Sequence, residues 1–225
     1  MTDPDIVEHT IAFVKEALKG AEGGHDWFHI KRVHANAQLI AKTEQVDALI
    51  VSLGALLHDI ADAKFNDGDE TIGPRMAKEF LISKQLDEAI VDHVVKIIEN
   101  ISFKSNLRSD SENGKETRFS SKELDVIQDA DRLDAIGAIG IARAFNYGGF
   151  KNRELYNPDI EFNLGMTKEQ YKKSKAPTIN HFYEKLLLLK DLMNTETGKI
   201  LAAERHQFML VYLEQFYKEW NGVAS

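Results

Sequence analysis

Apolar residues recur at helical spacing from one end of the chain to the other. Ile6, Ile11, Val14 and Leu18 form the first such stripe, which stops at Gly20, a residue typical of the position just after a helix. The sequence shows no sustained period-two alternation of the kind that predicts β-strands, and no repeat or low-complexity tract. We therefore expect an all-α fold.

The same patterning predicts seven further helices. Their expected bounds are 27–42, 46–61, 74–81, 87–100, 120–145, 178–193 and 197–220. The helix over 46–61 is apolar on nearly every face, so we expect it to be central. Ser120 and Glu123 form a predicted capping box at the start of the helix over 120–145, in which Gly137 and Gly140 indicate the close approach of another helix. Stretches 104–119 and 147–177 are predicted to be loops.

Two strongly polar residues, His58 and Asp59, stand at the end of the apolar run 48–57. Burying a charge is costly unless it is paired or bound to a metal. Imidazole beside carboxylate is a familiar donor pair for a divalent cation. Adjacent side chains on a helix point about 100° apart, so both can reach one ion only near a helix end. The pair therefore predicts a metal site.

Two further segments complete a pattern of ligands around this pair. His29 stands upstream in His-x-x-Arg-Val, and Asp131 stands downstream in Asp-Ala-Asp-Arg-Leu. This order, H…HD…D, resembles that of the HD-domain metal-dependent phosphohydrolases. Segments 57–65, 131–143, 147–149, 181–186 and 193–195 are similar to one small bacterial branch of that family, so the resemblance spans nearly the whole chain. It implies a helical bundle with polar loops over the site, and a metal bound by His29, His58, Asp59 and Asp131.

Composition narrows the setting of this chemistry. With 225 residues, 43% of them hydrophobic, the chain can form one domain over 1–225. The chain has no cysteine, which fits a reducing cytoplasm and leaves nitrogen and oxygen donors for a hard or borderline ion such as Mn²⁺ or Mg²⁺. An acidic N-terminus and short apolar runs predict no signal peptide and no membrane partner. A formal charge of −8 opposes binding to a polynucleotide.

The donor set indicates the reaction. Two imidazoles and two carboxylates leave an octahedral ion about two open positions, for water and for a substrate oxygen. The sequence contains no cysteine, Gly-x-Ser-x-Gly elbow or P-loop, so hydrolysis by metal-bound water of a small phosphate ester or anhydride is expected. Relatives of this size imply a nucleoside triphosphate cleaved to monophosphate and pyrophosphate. The alternatives are a nucleotide phosphomonoesterase and a sensor that binds nucleotide and metal without turnover.

Four other residues have a catalytic and a plainer interpretation. Asp62, one turn after Asp59, either orients or deprotonates a metal-bound water or is a helix-terminal residue. Lys64, Arg143 and Lys185 lie in segments that resemble the family, which implies contacts with substrate phosphate. The plainer alternative for all three is a solvated surface.

Two histidines and one arginine also have two possible roles each. His25 is either a second metal ligand or a cap or partner beside His29. His93, among apolar residues, is either a ligand of a second metal or a histidine satisfied by hydrogen bonds in the core or at its rim. Arg132 is either a phosphate ligand or a structural partner of Asp134. The sequence leaves the oligomeric state open.

Overall fold

The structure is a computed structural model that describes residues 2–20, 26–61, 69, 71–101, 119–167, 170 and 173–223. Its regular secondary structure within these ranges is helical, with no strand, which confirms the predicted all-α fold. No helix in the described ranges is both long and apolar enough to cross a bilayer. The chain divides into two compact units, Met1–Asp131 and Arg132–Ser225. One domain over 1–225 stays a prediction.

The helices follow the predicted order closely. In the first unit they are α1 (Asp3–Ala17), α2 (Trp27–Ala41), α3 (Ala48–Leu57), α4 (Ile72–Ser83), α5 (Glu88–Asn100) and α6 (Lys122–Asp134), which ends in the second unit. The second unit continues with α7 (Gly137–Phe150), α8 (Thr178–Glu184), a 3₁₀ helix (Leu186–Leu192) and α9 (Glu196–Trp220). Side-chain oxygens cap α1, α2, α3, α5 and α9, and they belong to Thr2, Asp26, Asp47, Asp87 and Thr195.

Helix α3 is the centre of the first unit, as its apolar composition predicts. All residues from 50 to 57 are buried, and α1, α2 and α5 pack against it. Gly54 allows this packing, because a Cβ there would lie only 2.6 Å from the Ile127 side chain of α6. The helix is shorter than the predicted 46–61. It starts after Asp47, whose carboxylate accepts from the Leu49 and Ile50 amides, and it ends before His58.

The start of α6 differs from the predicted capping box. The hydroxyl of Ser121, not Ser120, accepts a 3.1 Å hydrogen bond from the Leu124 amide. The helix therefore begins at Lys122. A serine pair leaves the capping register ambiguous by one residue, and the predicted box at Ser120 and Glu123 is wrong by that one residue.

The predicted continuous helix over 120–145 is also wrong, because α6 ends at Asp134 and α7 begins at Gly137. Gly137 has φ +74°, a left-handed conformation that glycine adopts without steric cost. A Cβ at Gly140 would overlap the Ala135 carbonyl, so this glycine is required by the bend and not by another helix. A Cβ at Gly137 would lie 3.0 Å from Arg205 of α9. Of these two glycines, Gly137 therefore lies at the predicted approach of another helix and Gly140 does not.

The predicted helix over 178–193 is divided in two. Lys185, with φ −145° and ψ −57°, ends α8, and the 3₁₀ helix follows it. Phe182 anchors this region, since it is fully buried and its ring lies 5.9 Å from that of Phe145 in α7. The predicted loop over 147–177 begins later, because α7 continues to Phe150. The predicted loop over 104–119 lies outside the described residues except for Phe119.

Candidate metal centre

His29 reaches the site from the first turn of α2. The Asp26 carboxylate caps this helix by accepting a 3.0 Å hydrogen bond from the His29 amide. This cap orients the turn that carries the imidazole. The His29 side chain is 2% exposed, so its ring is held within the protein and not in solvent.

His58 stands at the C-terminal end of α3, the position that the sequence requires for a metal ligand. Its Nδ1 atom lies 2.9 Å from the Ala55 carbonyl oxygen. Because a carbonyl can only accept, Nδ1 carries the proton, and in the neutral ring Nε2 then carries a free lone pair. A backbone partner on one ring nitrogen is the usual way in which a protein prepares the other for a metal.

Asp131 completes a group of three ligand atoms in the first unit. Its Oδ1 lies 3.5 Å from His29 Nε2 and 3.9 Å from His58 Nε2, and the three atoms all lie within 4.8 Å of one another. Two atoms bound to one ion at about 2.1 Å can be at most about 4.2 Å apart. Both measured separations satisfy that limit. The Asp131 side chain is 42% exposed, so the group is open to solvent on the carboxylate side.

A contact that sequence reasoning missed joins the two helices beside Asp131. Asn36 of α2 donates its amide Nδ2 to the Ala130 carbonyl of α6, at 3.3 Å. Asn36 lies seven residues after His29, two turns along the same helical face. That spacing is the signal that could have identified it.

The other predicted residues of the first unit are not brought together in this group. Asp59 is half-buried and has other interactions, and it is not among the three clustered ligands. Asp62, Lys64 and His25 lie outside the described residues. The metal role of Asp59 and the catalytic and substrate roles of Asp62 and Lys64 stay predictions.

Basic residues that were expected to contact substrate phosphate lie in the second unit, where two arginines contact protein groups. Arg143 Nη1 lies 2.6 Å from the Asp134 carboxylate, whose side chain is 2% exposed. Arg132 donates to the Leu192 carbonyl at 2.6 Å. Lys185 is exposed at the end of α8. The substrate roles of Arg143 and Lys185 stay predictions, and Arg143 has a structural role in holding Asp134.

His93 has hydrogen-bonding partners in the first unit that account for its polarity. Its Nε2 lies 3.0 Å from the Ser121 hydroxyl and 3.5 Å from the Glu123 carboxylate. These contacts fit a histidine satisfied at the rim of the core. Among the described residues, it belongs to no group of three metal-ligating side chains.

Comparison with known proteins gives a consistent result. The model of the HD domain family matches residues 27–136, which include His29, His58, Asp59 and Asp131. The uncharacterized protein YpgQ of Bacillus subtilis is 38% identical over 220 residues, covering 97% of this chain and 95% of that protein. An HD-superfamily hydrolase from Bacillus thuringiensis has a crystal structure that superposes with a TM-score of 0.76, at 41% identity over 98% of this chain and 99% of that one. YpgQ was solved in complex with ADP, and that structure gives a TM-score of 0.74, 37% identity and 97% coverage of both chains.

Proposed function

The chain belongs to the HD superfamily of hydrolases, and we propose that it converts nucleoside triphosphates to monophosphates and pyrophosphate in the presence of Mn²⁺ or Mg²⁺. The observation that carries this proposal is the group formed by His29, His58 and Asp131. The ADP complex of YpgQ supports a nucleotide as the ligand.

The donors of the group fit a divalent cation. His29 and His58 present two imidazole nitrogens, and Asp131 adds a carboxylate oxygen. Asp59 is the proposed fourth ligand. Nitrogen and oxygen donors without thiolate suit Mn²⁺ and Mg²⁺. A divalent cation held there would neutralise charge on a phosphate oxygen and lower the pKa of a coordinated water.

The protein side chains have separate roles in the proposed hydrolysis. Asp62 accepts a proton from the attacking water. The oxygen of that water forms a bond to the α-phosphorus, and the bond from this phosphorus to the bridging oxygen breaks as pyrophosphate leaves. Lys64, Arg143 and Lys185 bind phosphate oxygens and stabilise the charge that grows on the leaving group. Such local cations are needed because the chain carries a net charge of −8.

The position of bond cleavage tests the proposal. Hydrolysis in ¹⁸O-labelled water should place the label in the nucleoside monophosphate and leave the pyrophosphate unlabelled. Mass spectrometry of both products measures this directly. Release of orthophosphate from nucleoside monophosphates, with triphosphates untouched, would instead identify a phosphomonoesterase. Binding of nucleotide and metal without any turnover would identify a sensor.

A further inference from the structure

Helices α3 and α6 meet at two places in the first unit. Near the start of both helices, the Asp47 amide donates a 3.0 Å hydrogen bond to Glu123 Oε1. Farther along both helices, His58 Nε2 lies 3.9 Å from Asp131 Oδ1. The two contacts occur in the same order along the two helices, so α3 and α6 run in the same direction. A hydrogen bond therefore joins them at one end, and two candidate metal ligands face each other at the other end.

The residues of α6 that face α3 lie in one row. Glu123, Ile127 and Asp131 follow one another at intervals of four residues, which places them on one face of the helix. Between the two end contacts, a Cβ at Gly54 of α3 would lie only 2.6 Å from the Ile127 side chain, so the helices are close there too. A lengthwise shift of α6 against α3 would therefore displace Glu123 and Asp131 together.

The Glu123 carboxylate has a neighbour at each oxygen. Its Oε1 accepts from the Asp47 amide, and its Oε2 lies 3.5 Å from His93 Nε2 of α5. His93 Nε2 also lies 3.0 Å from the hydroxyl of Ser121, which accepts from the Leu124 amide in the first turn of α6. The Glu123 side chain is 13% exposed. A carboxylate held in this way has little freedom to move, so the length of its side chain determines where α3 starts relative to α6.

The start of α3 already has a cap of its own. The Asp47 carboxylate accepts hydrogen bonds from the Leu49 amide at 2.8 Å and the Ile50 amide at 3.1 Å. These two bonds satisfy amides that have no partner within the helix. Glu123 satisfies the Asp47 amide from another helix. Its hydrogen bond therefore does what the local cap does not, because it connects the start of α3 to α6.

The ligand geometry leaves little room for a shift between the two helices. Two atoms bound to one ion can be at most about 4.2 Å apart, and His58 Nε2 and Asp131 Oδ1 are 3.9 Å apart. The His58 ring is held by its contact with the Ala55 carbonyl at 2.9 Å, so it is not free to follow a moving partner. A displacement of α6 by about one ångström would exceed this limit.

We propose that Glu123 is a positioning residue of the metal centre. Through its hydrogen bond to the Asp47 amide, it sets the lengthwise position of α6 against α3 and thereby the separation of Asp131 from His58. Glu123 is eight residues, or about 12 Å, from Asp131 along α6, so it acts through the helices and not by contact with the ligands. The reach of its side chain matters more than its charge. The inference rests on the metal centre of the proposed function.

Variants of Glu123 separate reach from charge. Calorimetric titration of the metal-free full chain with Mn²⁺ measures Kd. Glu123→Ala and Glu123→Asp should each weaken binding by at least about tenfold, because Kd rises in proportion as the correctly placed fraction of molecules falls. Glu123→Gln keeps the length and one acceptor oxygen for the Asp47 amide, so it should bind within about threefold of the wild type. Glu123→Asp carries the test if Glu123→Ala does not fold.

Asp87→Ala is the matched control. The Asp87 carboxylate accepts a 2.8 Å hydrogen bond from the Ala89 amide at the start of α5, a helix that carries none of the predicted metal ligands. Asp87→Ala and Glu123→Ala should both lower Tm in chelator, because each removes a carboxylate acceptor from a helix N-terminus. Asp87→Ala should nevertheless bind Mn²⁺ within about twofold of the wild type.

A measurement in chelator tests the position of α6 without metal. The NMR resonances of the His58 ring should shift in Glu123→Ala and Glu123→Asp, because the Asp131 carboxylate beside that ring moves. They should stay unchanged in Glu123→Gln and Asp87→Ala.

The proposal is wrong if Glu123→Asp binds Mn²⁺ as tightly as the wild type, or if Glu123→Gln binds more weakly than Glu123→Asp. It is also wrong if Asp87→Ala weakens binding as much as Glu123→Ala, or if the His58 resonances of Glu123→Asp match those of the wild type in chelator. A wild type that binds Mn²⁺ yet hydrolyses no nucleotide would refute the proposed reaction and not the role of Glu123.

Discussion

Asp131 and Asp134 lie one turn apart on α6, yet the structure gives them opposite surroundings. Asp131 is 42% exposed and faces His29 and His58, whereas Asp134 is 2% exposed and pairs with Arg143 at 2.6 Å. Asp131→Ala should therefore abolish metal binding with little effect on the metal-free protein. Asp134→Ala should destabilise the metal-free protein and leave its metal stoichiometry intact.

The magnitudes follow from burial. Removing one partner of a buried ion pair costs about 3 to 5 kcal/mol, and the 27% exposure of the Arg143 side chain reduces this to about 2 to 4 kcal/mol. For a chain of this size, each kcal/mol lowers Tm by roughly 2 to 4 °C, so Asp134→Ala should lose roughly 4 to 16 °C. Asp131 is too exposed to contribute more than about 0.5 kcal/mol without metal. Metal at one hundred times its Kd adds about 2.7 kcal/mol to a protein that binds it only when folded.

Thermal denaturation of both variants, in chelator and with saturating Mn²⁺, separates the two roles. In chelator, the Tm of Asp131→Ala should equal that of the wild type, and the Tm of Asp134→Ala should be well below it. With Mn²⁺, the wild type and Asp134→Ala should both gain roughly 5 to 11 °C, and Asp131→Ala should gain nothing. Elemental analysis of the purified variants gives the metal content independently.

Two results would refute this reasoning. Equal loss of metal in both variants would show that Asp134, and not Asp131 alone, belongs to the ligand set. Wild-type melting of Asp134→Ala in chelator would show that its buried pair with Arg143 contributes no stability.

Three further predictions concern packing, pH and substrate binding. Gly54→Ala places a methyl group 2.6 Å from the Ile127 side chain and should lower the free energy of unfolding in urea by about 1 to 3 kcal/mol. The double variant that adds Ile127→Val should recover part of this loss, and wild-type stability of Gly54→Ala would contradict the packing. Burial lowers the pKa of His181 from 6.5 to about 3, so between these pH values the unfolded chain binds one more proton than the folded chain, and the free energy of unfolding should fall by about 1.4 kcal/mol for each pH unit of acidification. Urea unfolding of His181→Gln should lack this pH dependence, and a pH dependence equal to that of the wild type would exclude the buried neutral ring. Lys64→Ala and Lys185→Ala should raise KM or lower kcat with metal content unchanged, and wild-type kinetics would assign both lysines to the solvated surface.

The sequence is informative wherever the cause of structure is local. Helical periodicity predicted α1, α2 and α5 closely, because their apolar stripes, caps and stop signals lie within a few residues of one another. The apolar run before His58 predicted a central helix, and the burial of residues 50–57 confirms it. The order of His29, His58-Asp59 and Asp131 indicated the family because it depends on residue type and order, which the sequence states directly.

Tertiary structure decided what depends on residues distant in the chain. Gly137 has a left-handed φ at the bend and lies against Arg205 of α9, and α8 ends at Lys185, three residues after the fully buried Phe182. Periodicity alone predicted continuous helices through both positions. The pairing of Asp134 with Arg143 crosses that bend, which no helical spacing could predict. Only three-dimensional folding brings His29 and Asp131 to 3.5 Å, because the distance between ligands from separate helices is determined by how those helices pack and not by their spacing in sequence.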